Sequence, residues 1–337
     1  MTTIKDIAKA AGVSVTTVSR ALNGYSDVSE NTRKKVAMLA KELNYSPNTL
    51  ARSLVMKKSM TIGLLVNGIN QASIKDNFTF EVLAGINEYV SKTNYDLVLF
   101  STTSTKQREK SYSQLCRERR VDGVIISGIR TDDSYLQEIL QSEIPCVLID
   151  IPIKTEKVGY VTADNKLGAI QAVSHLLQLG HRNIAFVNGH KFAFVSEQRL
   201  EGYREALNNA KVPIREEWIV NGNFNEDTAE AEALMLLKNY PDITAIFSAS
   251  DLMALGILKA AKTLGIKVPQ QLSVIGYDDI LLSSYVSPAL TTIAQNKYKM
   301  GQEAVKLLIA TLEGREDPQV ITLDTELKIR ETTCEIL

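Results

Sequence analysis

The stretch Ile4-Lys5-Asp6-Ile7-Ala8-Lys9-Ala10-Ala11-Gly12-Val13-Ser14-Val15-Thr16-Thr17-Val18-Ser19-Arg20 carries two helix-start signals and one helix-stop signal in close succession. Thr3 precedes it as an N-cap, with an acid, Asp6, three residues on, as in a capping box. Ile7, Ala8 and Ala11 recur at helical spacing, and Gly12 falls where a left-handed residue ends a helix. After a short turn Ser14 caps a second helix, Val15 to Asn23, so the two form a helix-turn-helix. Ser29 caps a third helix, in which Val36, Leu39, Ala40 and Leu43 make the i, i+3, i+4, i+7 stripe that closes a three-helix core.

In the second helix Val18 and Leu22 are expected to face inward. That leaves Val15, Thr16, Thr17, Ser19 and Arg20 for a partner. Short hydroxyl side chains and a helix N-terminus donate to phosphates, an apolar side chain touches a thymine methyl, and Arg20 reaches a guanine edge bidentately. The plain alternative is an αα-hairpin with a solvated Ser/Thr face. Charge favours the first reading: residues 1–59 hold ten Lys/Arg against four acids, a net of +6, while the remainder holds 28 against 35, a net of −7. A basic head on an acidic body points to a polyanion partner for the head alone.

The next segment, Tyr45-Ser46-Pro47-Asn48-Thr49-Leu50-Ala51-Arg52-Ser53-Leu54, reads as a short helix capped by Asn48, with Leu50 and Leu54 on one face. Such a helix is too short to stand alone in water and suits a hinge that orders against a partner and presents an apolar wedge. A plain linker is the alternative.

Beyond Lys58 short apolar runs alternate with amphipathic helices. Candidate strands are Ile62–Val66, Asp96–Phe100, Gly123–Ser127, Cys146–Ile149, Ile184–Val187, Ala245–Ser248, Ser273–Ile275 and the last strand-like segment, Glu326–Arg330. Candidate helices include Phe80–Lys92, Lys106–Arg119, Leu167–Leu179, Glu197–Ala210, Ala229–Lys238 and Leu252–Leu264. This alternation is an α/β fold with parallel sheets, and its length calls for two similar lobes. Ligands of such sheets sit beyond the carboxyl ends of strands, where Asp150, Ser250, Asp251 and Asp278 fall. Asp251 is expected to act only as a helix N-cap.

With 337 residues, 45 % hydrophobic and 23 % charged, the chain has ordinary globular composition. No apolar run approaches the roughly 18 residues needed to span a bilayer, and no secretory h-region opens the chain. Cys116, Cys146 and Cys334 form no disulfide framework. A cytoplasmic, nucleoid-associated protein is expected. No Gly-x-Gly-x-x-Gly follows a strand, and neither a phosphate loop nor a Gly-x-Ser-x-Gly elbow appears. His175, His181 and His190 lack metal-ligand spacing. An enzyme is therefore not expected, and neither is a metal or cofactor.

Ile4-Lys5-Asp6-Ile7-Ala8, Ala11-Gly12-Val13-Ser14, Thr17-Val18-Ser19-Arg20 and Ala51-Arg52-Ser53-Leu54 resemble the head and hinge of the LacI/GalR family of bacterial repressors. The resemblance runs on through Leu179-Gly180-His181-Arg182-Asn183-Ile184-Ala185, Arg199-Leu200-Glu201-Gly202-Tyr203, Asp251-Leu252-Met253-Ala254-Leu255-Gly256, Gly276-Tyr277-Asp278-Asp279 and Pro288-Ala289-Leu290-Thr291-Thr292-Ile293. It implies a helix-turn-helix head over 1–46, a hinge helix and linker over 47–59, and an effector-binding, dimerising body over 60–337. The body would be like the periplasmic sugar-binding proteins, with one lobe of about 60–161 plus 292–322 and another of 162–291 plus 323–337.

By the same resemblance a homodimer would place two heads in adjacent major grooves of a near-palindromic operator in double-stranded DNA. Val15, Thr16 and Arg20 would read bases, while Thr3, Ser14, Thr17, Ser19 and Asn23 would hold phosphates. Leu54, supported by Ala51, would wedge into the central base step. In the body, Arg199 and Asp278 would bind effector hydroxyls, Phe224 would form a stacking wall, and Asp150 and Ser250 would stand at the rim. The resulting expectation is a repressor of carbohydrate-utilisation genes that responds to a sugar or sugar derivative. A non-sugar metabolite or corepressor, or a sugar-binding protein without operator specificity, is the alternative. Asp76-Asn77-Phe78-Thr79 departs from the family's usual Asn-Pro-Phe-Phe, and Ser250 stands where sugar binders of the family often have Asn. No heptad tail is visible before Leu337, so a dimer rather than a tetramer is expected.

Overall fold

The computed structural model describes residues 2–22, 24–45, 58–67, 75–102, 110–315 and 319–336. The chain forms two compact units, Met1–Ser59 and Met60–Leu337. Asn23, Asn48, Ala51 and Leu54, and with the last three the expected hinge helix, lie outside the described residues.

In the first unit helices α1 (Ile4–Ala11), α2 (Val15–Leu22) and α3 (Glu30–Glu42) close over Ile7, Ala8, Ala11, Val18, Ala21, Val28, Val36 and Ala40. The cap signals act as expected. The Asp6 carboxylate accepts from the backbone N–H and the hydroxyl of Thr3, both at 2.8 Å, and Gly12 takes φ 68°. Ser14 Oγ accepts from the Thr17 N–H at 3.0 Å and Ser29 Oγ from that of Thr32 at 3.3 Å. Leu43 does not join the core: it follows the last residue of α3 and is exposed, because the helix ends before its side chain completes the stripe. Leu22 is half-buried.

The second unit is built on two six-stranded sheets. The first holds β1 (Thr61–Asn67), β2 (Asp96–Thr102), β3 (Gly123–Ser127), β4 (Cys146–Ile149), β5 (Val158–Ala163) and β11 (Val320–Leu323), in the order β11-β5-β4-β3-β1-β2. The second holds β6 (Ile184–Asn188), β7 (Ile219–Asn221), β8 (Ala245–Ser248), β9 (Ser273–Asp278), β10 (Thr291–Gln295) and β12 (Thr325–Lys328), in the order β12-β10-β9-β8-β6-β7. All neighbours pair in parallel except β10 and β12.

Strand periodicity sorts the first core. Ile62, Leu64 and Val66 face α4 (Phe78–Ser91) and α11 (Lys297–Glu313), while Leu65 joins the opposite cluster with α5 (Tyr112–Arg119) and α6 (Ser134–Gln141). Gly85 and Gly301 let α4 and α11 touch backbone to backbone: a Cβ at Gly85 would lie 2.0 Å from the Tyr298 carbonyl oxygen. The second sheet buries one large cluster against α7 (Asn165–Gln178), α8 (Phe194–Asn209), α9 (Glu226–Asn239) and α10 (Asp251–Thr263).

Three expectations are corrected. The lobe boundary moves, because β5 runs to Ala163 in the first sheet and β10 pairs with β9 in the second, so the return crossing follows Gln295 rather than Thr291. The expected continuous helix Lys106–Arg119 is broken at Ser111, which is extended (φ −69°, ψ 157°) and caps the helix Tyr112–Arg119; 106–109 lie outside the described residues. The last strand ends at Lys328, two residues short of Arg330.

Candidate functional site

In the first unit α2 presents Val15, Thr16 and Arg20 as exposed residues, with Thr17 and Ser19 half-buried. Ser14 and Thr17 share a hydroxyl–hydroxyl hydrogen bond of 2.9 Å at the start of the helix. Thr3, at the start of α1, is tied to Asp6. The face is therefore a row of small polar groups, a valine and one guanidinium.

In the second unit a cavity of about 220 Å³ opens between the lobes. Strand ends and their loops supply its walls: Asp150 after β4, Ser250 after β8, Asp278 closing β9, Phe224 after β7 and Arg199 from α8. The five residues expected from the sequence thus line one cavity. Asp76, Ser127, Arg130 and His190 line it too, and sequence reasoning did not assign them a role. Asp76 had a signal in the sequence: it stands in the segment that departs from the family pattern.

Arg199 is the electrostatic centre. Its side chain is 3 % exposed, its Nε donates to Asn165 at 2.9 Å, its Nη1 donates to the Ala249 carbonyl, and Nη2 lies 3.5 Å from Asp278 Oδ1. The guanidinium also stacks over the Tyr277 ring, 3.7 Å from its centroid. Asp278 is held from behind. Gln295 Nε2 donates to its Oδ1, and the buried Lys297 ammonium donates to its backbone carbonyl. Asp150 accepts from Thr162 at 2.6 Å. Asp150, Phe224 and Asp278 all take positive φ (60°, 55° and 107°), which turns their side chains out of the strand ends into the cleft.

Burial pushes the carboxyls of Asp150 and Asp278 up, against the opposing pull of Arg199. The Asp76 carboxyl rises to about 7, through burial first and the charge of Asp278 second. Burial pushes the His190 imidazole down, and Arg130 adds to it. The Phe224 ring meets His190 edge-on, 5.5 Å between centroids. Chemically the cavity offers carboxylate acceptors, a fork of donors and an aromatic wall.

Asp251 is not the helix cap; Ser250 is, accepting from the Met253 N–H at 3.3 Å. The fully buried Asp251 carboxylate instead accepts from the Ile280 N–H at 2.9 Å and the Ser283 and Thr292 hydroxyls at 2.6 and 2.5 Å. It shapes the loop behind Asp278. His181 is likewise structural, bonded to Thr244 and Ser273 at 2.9 Å. Among the described residues no group of His, Cys, Asp and Glu is placed to hold a metal, and no helix is long and apolar enough to cross a membrane.

Residues 3–48 match the pattern of bacterial regulatory proteins of the lacI family, and residues 173–333 match the periplasmic binding protein-like domain. The chain is 37 % identical to the HTH-type transcriptional repressor PurR of Vibrio parahaemolyticus, over 98 % of each chain. It belongs to the lacI family. Two solved structures carry the likeness over the whole chain. A transcriptional regulator CelR–cellobiose complex is 32 % identical with a TM-score of 0.77, covering 98 % of this chain and 100 % of that one. The lac repressor dimer bound to operator and the anti-inducer ONPF is 28 % identical with a TM-score of 0.79, covering 99 % of both. This lacI-family chain is a transcriptional repressor with a DNA-binding head and a periplasmic-binding-protein-like body.

Proposed function

We propose that this repressor binds a near-palindromic operator as a homodimer, and that a sugar or sugar derivative in the interlobe cavity sets its affinity and so controls carbohydrate-utilisation genes. The observation that carries the effector half is the convergence of Asp150, Arg199, Phe224, Ser250 and Asp278 on one cavity. Carboxylates accept from vicinal hydroxyls, a guanidinium donates in a fixed fork, and an aromatic ring packs on the C–H face of a sugar ring. The volume of about 220 Å³ falls below the roughly 300–1,000 Å³ usual for drug-sized ligands and suits a compact polyol. The similar CelR structure is a cellobiose complex.

On the DNA side, phosphate contacts from Thr3, Ser14, Thr17, Ser19 and Asn23 would supply salt-dependent affinity, and Val15, Thr16 and Arg20 would discriminate bases at roughly 1–3 kcal/mol per good pair. Asn48, Ala51 and Leu54 would act in the hinge, with Leu54 as the minor-groove wedge. A change in the angle between the lobes would reach DNA through that hinge. A coupling of about 1–3 kcal/mol gives roughly a 5- to 150-fold change in operator affinity.

The test uses the purified chain and a duplex enriched from a random-sequence pool. Sugars are screened by thermal shift, where ligand at about 100 times Kd adds ~2.7 kcal/mol. Asp278→Ala should keep DNA binding and lose the response to the sugar that scores. A normal response in Asp278→Ala, or no enriched duplex with any sugar, overturns the reading.

A further inference from the structure

The Arg20 guanidinium does not project freely from α2. Its Nε donates to Asp27 Oδ1 at 3.2 Å, and its Nη2 lies 2.7 Å from Asp27 Oδ2. A guanidinium carries five N–H groups in a rigid plane. This carboxylate engages the lateral edge, formed by Nε and one N–H of Nη2. One N–H of Nη1 and the second of Nη2 form the terminal edge, which this carboxylate leaves clear and which can donate to guanine O6 and N7.

The loop that carries Asp27 is itself pinned. The Tyr25 N–H donates to the Arg20 carbonyl at 3.1 Å, Arg33 Nη2 donates to the Tyr25 carbonyl at 2.8 Å, and Val28 is buried in the head core. The Tyr25 ring lies against the face of the same guanidinium, 5.2 Å from its carbon to the ring centroid. Arg20 is thus held from the side and from one face.

We propose that Asp27 is a positioning residue for base recognition: it grips Arg20 by the lateral edge and so presents the terminal edge to a guanine. This rests on the reading of α2 as the base-reading helix. The two side chains are 46 % and 51 % exposed, so the pair contributes little to stability. Its effect is on selectivity, in two ways. Fixing a long side chain before binding removes an ordering cost from the complex. The carboxylate also offsets the charge with which Arg20 would otherwise attract any phosphate.

The experiment compares the full-length wild type with Asp27→Asn on three probes: a duplex enriched by the wild type, its single-base variants and a random-sequence duplex. Asp27→Asn should bind the enriched duplex about 5- to 50-fold more weakly, with the loss concentrated at one G·C pair per half-site. The random duplex should be bound as tightly as before or more tightly. In an Arg20→Ala background the second substitution should change nothing. Full selectivity in Asp27→Asn overturns the proposal, and so does a parallel loss on enriched and random duplexes, which marks a merely structural residue. If the wild type enriches no duplex, the reading of α2 falls first and takes the proposal with it.

Discussion

Lys75 and Glu226 meet at 2.6 Å, Nζ to Oε2, and they come from different lobes of the body. Each stands beside the cavity wall, Lys75 next to Asp76 and Glu226 two residues after Phe224. Glu226 is the buried partner and also receives Lys259 of α10. Burial pushes its carboxyl up, but the hydrogen bonds from Lys259 and Lys75 outweigh that and leave it below the ordinary value. The contact joins the lobes in the conformation seen here.

Lys75→Met removes this interlobe contact while Lys259 still partners Glu226. The proposed sugar effector should dissociate about 1.5- to 5-fold faster, as expected for a pair whose lysine is exposed, with little change in association rate. Stopped-flow displacement measures it, and unchanged release would show that the contact does not hold the lobes together.

Asp76 gives the body a pH signature. Its carboxyl titrates at about 7 in the folded chain, against about 4 when unfolded. A raised carboxyl means that the folded state holds a proton the unfolded state has released, so this contribution to stability is full below about pH 4 and lost as pH rises to about 7. Asp76→Asn should therefore gain on the wild type in melting temperature between about pH 4 and 7 and run parallel to it above. A constant difference across that range would contradict the assignment.

Asp251→Ala strips three buried donors, on Ile280, Ser283 and Thr292, of their acceptor. At about 1–3 kcal/mol for each buried group left unsatisfied, partly recovered by relaxation, a loss of about 3–5 kcal/mol is expected. Urea unfolding measures it. A loss below about 1 kcal/mol would mean that the three donors find other partners.

Phe224→Ala should weaken binding of the proposed sugar by about 2- to 10-fold through loss of the ring, while leaving operator affinity in the absence of effector untouched. Isothermal titration and fluorescence anisotropy separate the two. Equal affinity for the sugar would remove Phe224 from the wall.

The cap chemistry of the head was legible because it is local: Thr3 with Asp6, Ser14 with Thr17, and Gly12 in its left-handed turn are all decided within a few residues. Leu43 departs from the pattern because a helical stripe says nothing of where the helix stops. In the body the apolar runs Ile62–Val66 and Ala245–Ser248 announce themselves, whereas β7 and β11 are short edge strands, half-exposed or more along most of their length, and leave little signal. Asp251 shows the limit most clearly. Its position after a strand and at the start of a helix suits a cap, and only the fold brings it the donors from Ile280, Ser283 and Thr292. Arg199 and Asp278 were found through family resemblance; spacing alone does not predict that α8 and β9 bring them within 3.5 Å.

The three crossings of the chain between lobes also bear on biosynthesis. Translation completes β10, then lays down α11 and β11 in the other lobe before β12 emerges. Until then the nascent second sheet exposes the flank of β10 that β12 will cover, an open edge of the kind that recruits stray strands. A message truncated just before Thr325 would leave that edge permanently uncovered, and its product should be a client of chaperones and proteases rather than a weaker repressor.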